Sequence, residues 1–134
     1  MEAKVREVVE QLRSGLGEET FFALIELKGD VLPAIAAVFR SEPHPDIRAL
    51  LIKAAWERRE DAVLPLLAEA LNDDAEEVWQ EALDGLVAFA GEHALEILVQ
   101  ARVREFTDGP SAKRFRLWLE EAIQQVNFEL RAKT

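Results

Sequence analysis

The sequence predicts an all-α protein in which similar helical hairpins stack on one another as a solenoid. The first observation is that the chain matches itself when it is shifted by about thirty residues, so that Val31-Leu32-Pro33 falls on Val63-Leu64-Pro65. The second is that apolar residues within each copy recur at steps of three and four, as on one face of a helix. The third is that the alternating pattern of a half-buried strand is missing. A repeat of this length with helical spacing inside it is typical of stacked helical hairpins.

Length and composition indicate one domain, residues 1–134, that needs neither a metal nor a disulfide to fold. The absence of Cys excludes a disulfide scaffold, a thiol nucleophile and a thiolate zinc site. The N-terminal segment is charged and lacks the apolar core of a signal peptide, and no apolar run approaches the ~20 residues that span a bilayer. We therefore expect a cytoplasmic protein with no membrane contact.

The first helix is predicted over about 3–13, because Val5, Val9 and Leu12 form one apolar stripe and Ser14-Gly15 follows. Apolar periodicity predicts seven further helices along the chain. Their predicted ranges are 18–28, 31–41, 46–58, 61 to the corner at 72–74, 75–90, 93–105 and 111–132.

The predicted helix starts carry residues that satisfy or tolerate free backbone amides. Asp30 and Ser111 are expected to cap helices, where a side-chain oxygen can accept a hydrogen bond from the first turn, and Asp46 and Asp61 are expected to start helices. Pro33 and Pro65 fall in first turns, where the missing N–H has no intrahelical partner. These signals divide the chain into short helices joined by tight corners.

The units resemble HEAT repeats, in the short bacterial form of the phycobilisome-lyase HEAT-like proteins. The resemblance rests on Asp46-Ile47-Arg48 at the start of one helix, on Ala62-Val63-Leu64-Pro65-Leu66-Leu67 in the next, and on Asn72-Asp73-Asp74 with Val78 opening another copy. Two departures stand out: Trp79 occupies the position of the family Arg, and an insertion falls around 106–110.

This resemblance implies a right-handed α-solenoid of about three HEAT-like helical hairpins, with macromolecular binding on its inner face. The repeats cover about 18–105, an N-terminal capping helix covers 1–14, and a C-terminal helix covers about 111–132. An irregular helical bundle is the structural alternative. The resemblance does not imply one activity.

The formal net charge of −10 is concentrated in one part of the chain. Residues 61–100 contain ten acids and no Lys or Arg, while the remaining 16 acids and 16 bases cancel. A helical wheel of the sixth helix places the acids opposite its apolar arc. The acids form either a solvated face that maintains solubility or a docking surface for a basic partner, since a solubility surface normally mixes both signs.

The predicted partner-binding residues come from this acidic segment. Trp79 is included as an aromatic anchor ringed by charge, whereas Trp56 and Trp118 are expected in the core. The candidates are Glu69, Asp73, Asp74, Glu76, Glu77, Trp79, Glu81, Asp84, Glu96 and Gln100.

Five bases lie near the last corner, and they either complement helix ends or meet the acidic part of a second molecule. They are Arg102, Arg104, Lys113, Arg114 and Arg116.

No catalytic constellation, cofactor motif or metal-ligand set is visible, so we predict no catalytic residue, no cofactor and no metal. His44 lies in a proline-rich corner, and His93 with Glu96 lacks further ligands. Nucleic-acid binding is disfavoured because phosphate contacts require Lys and Arg.

The resulting hypothesis is a non-enzymatic module, monomeric or a weak homo-oligomer, that binds a basic protein. It would be an immunity or inhibitor protein that neutralises a bacterial toxin, or alternatively an adaptor or assembly and scaffold factor of the lyase-associated type. An accessory subunit of an enzyme is a distant third hypothesis.

Overall fold

The structure is a computed structural model that describes residues 1–15 and 17–133, and within these residues all regular secondary structure is helical. Two short 3₁₀ turns, Asp61–Val63 and Ala101–Val103, lead into and out of α-helices. The α-helices are α1 (Glu2–Arg13), α2 (Gly17–Glu26), α3 (Val31–Ser41), α4 (Pro45–Glu57), α5 (Leu64–Ala70), α6 (Glu76–Phe89), α7 (Glu92–Gln100) and α8 (Gly109–Ala132).

The helices form two layers, stacked in chain order. We call α1, α3, α5 and α7 the odd layer, and α2, α4, α6 and α8 the even layer. In the even layer, α4 packs against α2 and α6, and α6 packs against α8. In the odd layer, α1 packs on α3 and α5 on α7, while an ion pair between Arg40 and Glu69 joins α3 to α5. This arrangement confirms the predicted stack of helical hairpins.

The core runs continuously through the stack, from Val5 on α1 to Val126 on α8. Leu67 of α5 and Leu83 of α6, which match Leu98 and Ile52 in neighbouring copies of the repeat, are both buried. A fully buried Leu contributes about 1.5–3 kcal/mol through the removal of apolar surface from water. Burial of both residues confirms the register that the periodicity predicts.

The start predicted at Asp46 is one residue late, since α4 begins at Pro45 with His44 as its N-cap, and Asp61 opens the 3₁₀ turn that leads into α5. The cap of the last helix also differs from the prediction. Asp30 is the N-cap residue of α3, although its side chain accepts no capping hydrogen bond. At α8 the cap is Asp108 and not Ser111, because the Asp108 carboxylate accepts a hydrogen bond from the Ser111 backbone N–H at 2.7 Å. This bond also lowers the pKa of Asp108, because it stabilises the charged carboxylate. Pro110 occupies the first turn of α8, where its missing N–H is harmless.

Gly85 allows α4 and α6 to approach closely. A Cβ atom at this position would lie 2.8 Å from the Trp56 ring and 3.1 Å from a Leu67 methyl group. The Trp56 indole therefore lies close against α6 at Gly85, and its N–H donates a hydrogen bond to Glu81 at 2.9 Å. Glycine within a helix costs about 1 kcal/mol relative to alanine, and the packing of Trp56 offsets that cost.

Arg104 connects the end of the odd layer to the corner between α5 and α6. Its guanidinium donates hydrogen bonds to the backbone carbonyls of Leu71 and Asp73. The same group lies 4.1 Å from the ring centre of Phe106 and 5.0 Å from that of Phe115. The insertion after α7 thus supplies a cation and an aromatic ring that hold α8 against this corner.

Candidate functional site

The acidic segment is less uniformly charged in the structure than in the sequence, because arginines from outside it neutralise three of its acids. Each of these arginines reaches across from a neighbouring hairpin. The ion pairs are Arg40–Glu69, Arg48–Asp73 and Arg114–Glu76, with N–O distances of 2.7, 3.0 and 3.2 Å.

Asp73 has a structural role in addition to its charge. Both of its oxygens accept hydrogen bonds from Arg48 at 3.0 Å, and one also accepts the Ala75 backbone N–H at 2.9 Å. The Arg48 guanidinium in turn donates to the carbonyls of Glu42 and Pro43. Asp73 therefore holds the corner before α6, and its carboxylate is engaged inside the molecule. Asp74, one residue further on, is exposed.

Three of the predicted acids share the outward face of α6 in the even layer. Glu77, Glu81 and Asp84 are spaced by four and three residues, which places them along one side of a helix. Glu81 is half-buried against α4, where it accepts the Trp56 indole hydrogen bond. Burial raises the pKa of Glu81, and the nearby charges of Asp84 and Glu57 raise it further. This face therefore concentrates negative charge beside a poorly hydrated surface.

Asp84 lies at the edge of the same face. Burial raises the pKa of its carboxyl, while the positive charge of Lys53 on α4 lowers it. The charge of Lys53 also lowers the pKa of Glu81, and the Lys53 ammonium lies 5.4 Å from the ring centre of Phe21. One partly buried lysine thus faces several carboxylates, and the local charge remains negative.

Three other predicted residues lie in the odd layer, so the candidate set does not form one site. Glu69 belongs to α5, while Glu96 and Gln100 are exposed on α7. Gln100 lines a groove of about 480 Å³ between α5 and α7, whose other lining includes Leu71 and Ile97. Because the two layers back onto the same core, a ligand on the face of α6 does not reach these residues.

Trp79 does not form an interface anchor, and that sequence prediction is wrong. Only 2% of the side chain is exposed. Its ring meets the ring of Phe115 edge to face, with centroids 5.1 Å apart and planes at 78°. Trp79 lies at the edge of the apolar arc of α6, and α8 covers that edge. The family Arg is replaced here by an aromatic side chain that packs into the core.

Trp118 is the exposed tryptophan, contrary to the prediction that it would be buried. Its side chain is 43% exposed. It lines a groove of about 270 Å³ between α6 and α8, together with Asp84, Val87, Glu121 and Gln125. The signal was available in the sequence, since the apolar arc of α8 runs through Phe115, Leu119, Ala122, Ile123 and Val126, and Trp118 lies off that arc.

Most of the basic cluster at the last corner is engaged within the chain. Arg102 forms two hydrogen bonds with Glu120, the shorter at 2.7 Å, and Arg114 pairs with Glu76. Arg104 is held by backbone carbonyls and aromatic rings. Lys113 and Arg116 are exposed. The cluster therefore mainly fastens α8 to the rest of the stack.

Among residues 1–15 and 17–133, no group of three or more His, Asp or Glu side chains is arranged to hold a metal ion. No helix in those ranges combines the length and the apolar character that crossing a bilayer requires.

Comparison with protein families gives one match. A family model described as HEAT repeats matches residues 32–124, which is more than half of the chain. The match begins in the first turn of α3 and ends within α8, so it covers the acidic face of α6 and the lining of the neighbouring groove except Gln125. Comparisons with curated proteins and with solved structures found no significant match.

Proposed function

The chain belongs to the HEAT-repeat family, and on that premise we propose that it is a non-enzymatic module that docks a basic protein on its even layer. HEAT repeats generally mediate protein–protein interaction, and the family is typically non-catalytic. Their stacked hairpins present extended rigid surfaces on which side chains are held at fixed spacing.

The observation that carries the proposal is the residual charge on the outward face of α6. Glu77, Glu81 and Asp84 form no ion pair shorter than 4 Å among the described residues, unlike Glu69, Asp73 and Glu76. Crowded carboxylates beside partly buried surface favour a cation, because the attraction between opposite charges strengthens as the effective dielectric constant falls. A basic protein would relieve this repulsion.

The ion pairs and the burial described above favour a smaller partner-binding set than the ten residues predicted from the sequence. Glu77, Glu81 and Asp84 remain as candidates on one face, and Asp74 stands near it at the corner. Three other acids, Glu69, Asp73 and Glu76, are already paired with arginines of this chain. Two more residues, Glu96 and Gln100, lie in the odd layer, and Trp79 is buried in the core. We propose that the first group carries the docking.

The test is the binding of a fluorescent twelve-residue Lys/Arg peptide, measured by anisotropy at several salt concentrations. The variant combines Glu77→Gln, Glu81→Gln and Asp84→Asn. We expect it to weaken binding about tenfold and to flatten the salt dependence, because electrostatic attraction is screened within ~8 Å at physiological ionic strength.

The matched control removes the same charge elsewhere, on exposed acids outside the proposed surface: Glu7→Gln, Glu19→Gln and Glu129→Gln. We expect this triple variant to weaken binding less than about twofold. Equal losses in the two triple variants would mean that only net charge matters and that the acids serve solubility. Duplex DNA of similar length should not bind either protein, since its phosphates carry the same sign as this surface.

Two finer hypotheses concern the partner. An immunity or inhibitor protein abolishes the activity of the toxin that it binds. An adaptor or assembly factor leaves its partner active while bound. Assay of the captured partner with and without this protein separates the two hypotheses, and charge complementarity suits both through faster association.

A further inference from the structure

We infer that the groove between α6 and α8 is a pocket for a single arginine side chain presented by the basic partner. The inference rests on the proposed function, and it names the residue that the even layer recognises. Its basis is one groove of about 270 Å³ that holds an exposed indole, two carboxylates and apolar walls together.

The indole of Trp118 supplies the first element of recognition. Its side chain is 43% exposed on α8, although the other two tryptophans are half-buried or buried. A guanidinium that stacks on an indole face gains about 0.5–1 kcal/mol at an exposed site and more when water is excluded. The structure itself uses this contact elsewhere, since the guanidinium of Arg59 lies 5.2 Å from the Trp56 ring centre.

The carboxylates supply the second element. Asp84 on α6 and Glu121 on α8 line the groove from its two sides, and neither has an ion-pair partner among the described residues. A planar guanidinium carries donors on several edges, so it can bond to two carboxylates while its flat face rests on an aromatic ring. A lysine ammonium has three donors but no face to stack.

The apolar walls supply the third element. Leu83 and Val87 of α6 and Ala122 of α8 line the same groove. Arginine carries three methylene groups below its guanidinium, and these lie well against apolar surface while the charged group remains at the rim. The groove therefore matches the whole side chain, from its apolar stem to its cationic head.

The geometry also explains why a cation from the chain itself does not fill the groove. Lys53, the base that acts on Asp84, lies on α4, on the side of α6 away from α8. The nearby bases Arg102 and Arg114 are paired with Glu120 and Glu76. The carboxylates that face the groove are thus available to an arginine from outside.

The test follows the three tryptophan indole N–H signals by NMR during titration with a tetra-arginine peptide and, separately, a tetra-lysine peptide. Trp118→Phe identifies the Trp118 signal. We expect that signal to shift with tetra-arginine while the buried Trp79 signal does not. Asp84→Asn and Glu121→Gln should each weaken tetra-arginine binding about fivefold or more, whereas Glu129→Gln, on the same helix but outside the groove, should not.

The outcomes separate this inference from the proposed function. If tetra-arginine binds but the Trp118 signal does not move, or if tetra-lysine binds equally well, the arginine pocket is refuted while the basic docking surface stands. If neither peptide binds at moderate salt, the proposed function itself fails. Unfolding curves of each variant, compared with the parent protein, show that the fold is retained before its binding is interpreted.

Discussion

Replacement of Trp79 or Trp118 by alanine should have opposite consequences, and the burial of the two side chains sets the magnitudes. The side chain of Trp79 is 2% exposed, and its ring centre lies 5.1 Å from that of Phe115. The side chain of Trp118 is 43% exposed and lines a groove. Truncation of a buried Trp to Ala typically costs about 3–5 kcal/mol through lost transfer energy and the cavity that remains. Trp118→Ala should cost about 1 kcal/mol or less, since much of its surface already meets water.

The assay for this prediction is reversible unfolding in urea and by heat. For a domain of this size, a loss of 3–5 kcal/mol in the free energy of unfolding corresponds to a fall of about 10–20 °C in Tm. Trp79→Phe supplies a milder variant if Trp79→Ala does not fold. The effects on binding should be the reverse: Trp118→Ala should bind the Lys/Arg peptide more weakly than the parent protein, and Trp79→Phe should bind it almost as well.

A loss of less than about 1 kcal/mol for Trp79→Ala would refute the packing of α8 against this edge of α6. A large loss of stability in Trp118→Ala would show that its indole is part of the core, and the arginine pocket would lose its aromatic wall.

Three other variants test contacts between hairpins. Gly85→Ala should lower the free energy of unfolding by about 1–3 kcal/mol, because the new methyl group overlaps the Trp56 ring. The same substitution should lower it less in a Trp56→Ala protein, because the overlapping ring is then absent. Arg104→Lys should destabilise almost as much as Arg104→Ala in urea melts, because an ammonium cannot bond to two carbonyls and stack on two rings at once. Glu42→Gln should destabilise the protein clearly at neutral pH and progressively less as the pH falls through the lowered pKa of the Glu42 carboxyl, as measured by unfolding at each pH.

The sign of the Glu42 effect follows from its surroundings. Burial raises the pKa of this carboxyl, but hydrogen bonds from Arg13 and His44 outweigh burial and leave the pKa below its ordinary value. The carboxylate therefore stabilises the folded state above the pKa of the unfolded chain. That contribution disappears as the pH falls through the pKa of the folded state. If the parent protein and Glu42→Gln differed in free energy of unfolding by the same amount at every pH, a lowered pKa of Glu42 would be contradicted.

Local pattern predicted the helices and their register, because these depend on residues close together in the chain. The periodic apolar residues placed Leu67 and Leu83 in the core, and turn residues located the corners. The 3₁₀ turns at Asp61–Val63 and Ala101–Val103 shortened two predicted helices, since apolar periodicity does not distinguish the tighter turn at a helix end.

The candidate site was predicted less well, because its properties depend on contacts between distant residues. Glu69 and Glu76 have arginine partners 29 and 38 residues away, so a count of local charge overstated the negative field. The sequence prediction placed Trp79 at the surface and Trp118 in the core, and both are wrong for a related reason. The apolar arc of one helix does not show which neighbour covers its edge.

The ion pairs that link successive hairpins have a consequence for how the stack unfolds. An ideal solenoid behaves as a one-dimensional array, in which the end units fray independently of the middle. Here Arg104 ties the segment after α7 to the corner between α5 and α6, and Arg114 ties α8 to the first turn of α6. Loss of the terminal helix would therefore remove Arg114 from Glu76 and the Phe115 ring from Arg104 at once. We expect amide protection against hydrogen exchange to be shared between α6 and α8, so that the C-terminal half opens as one cooperative block.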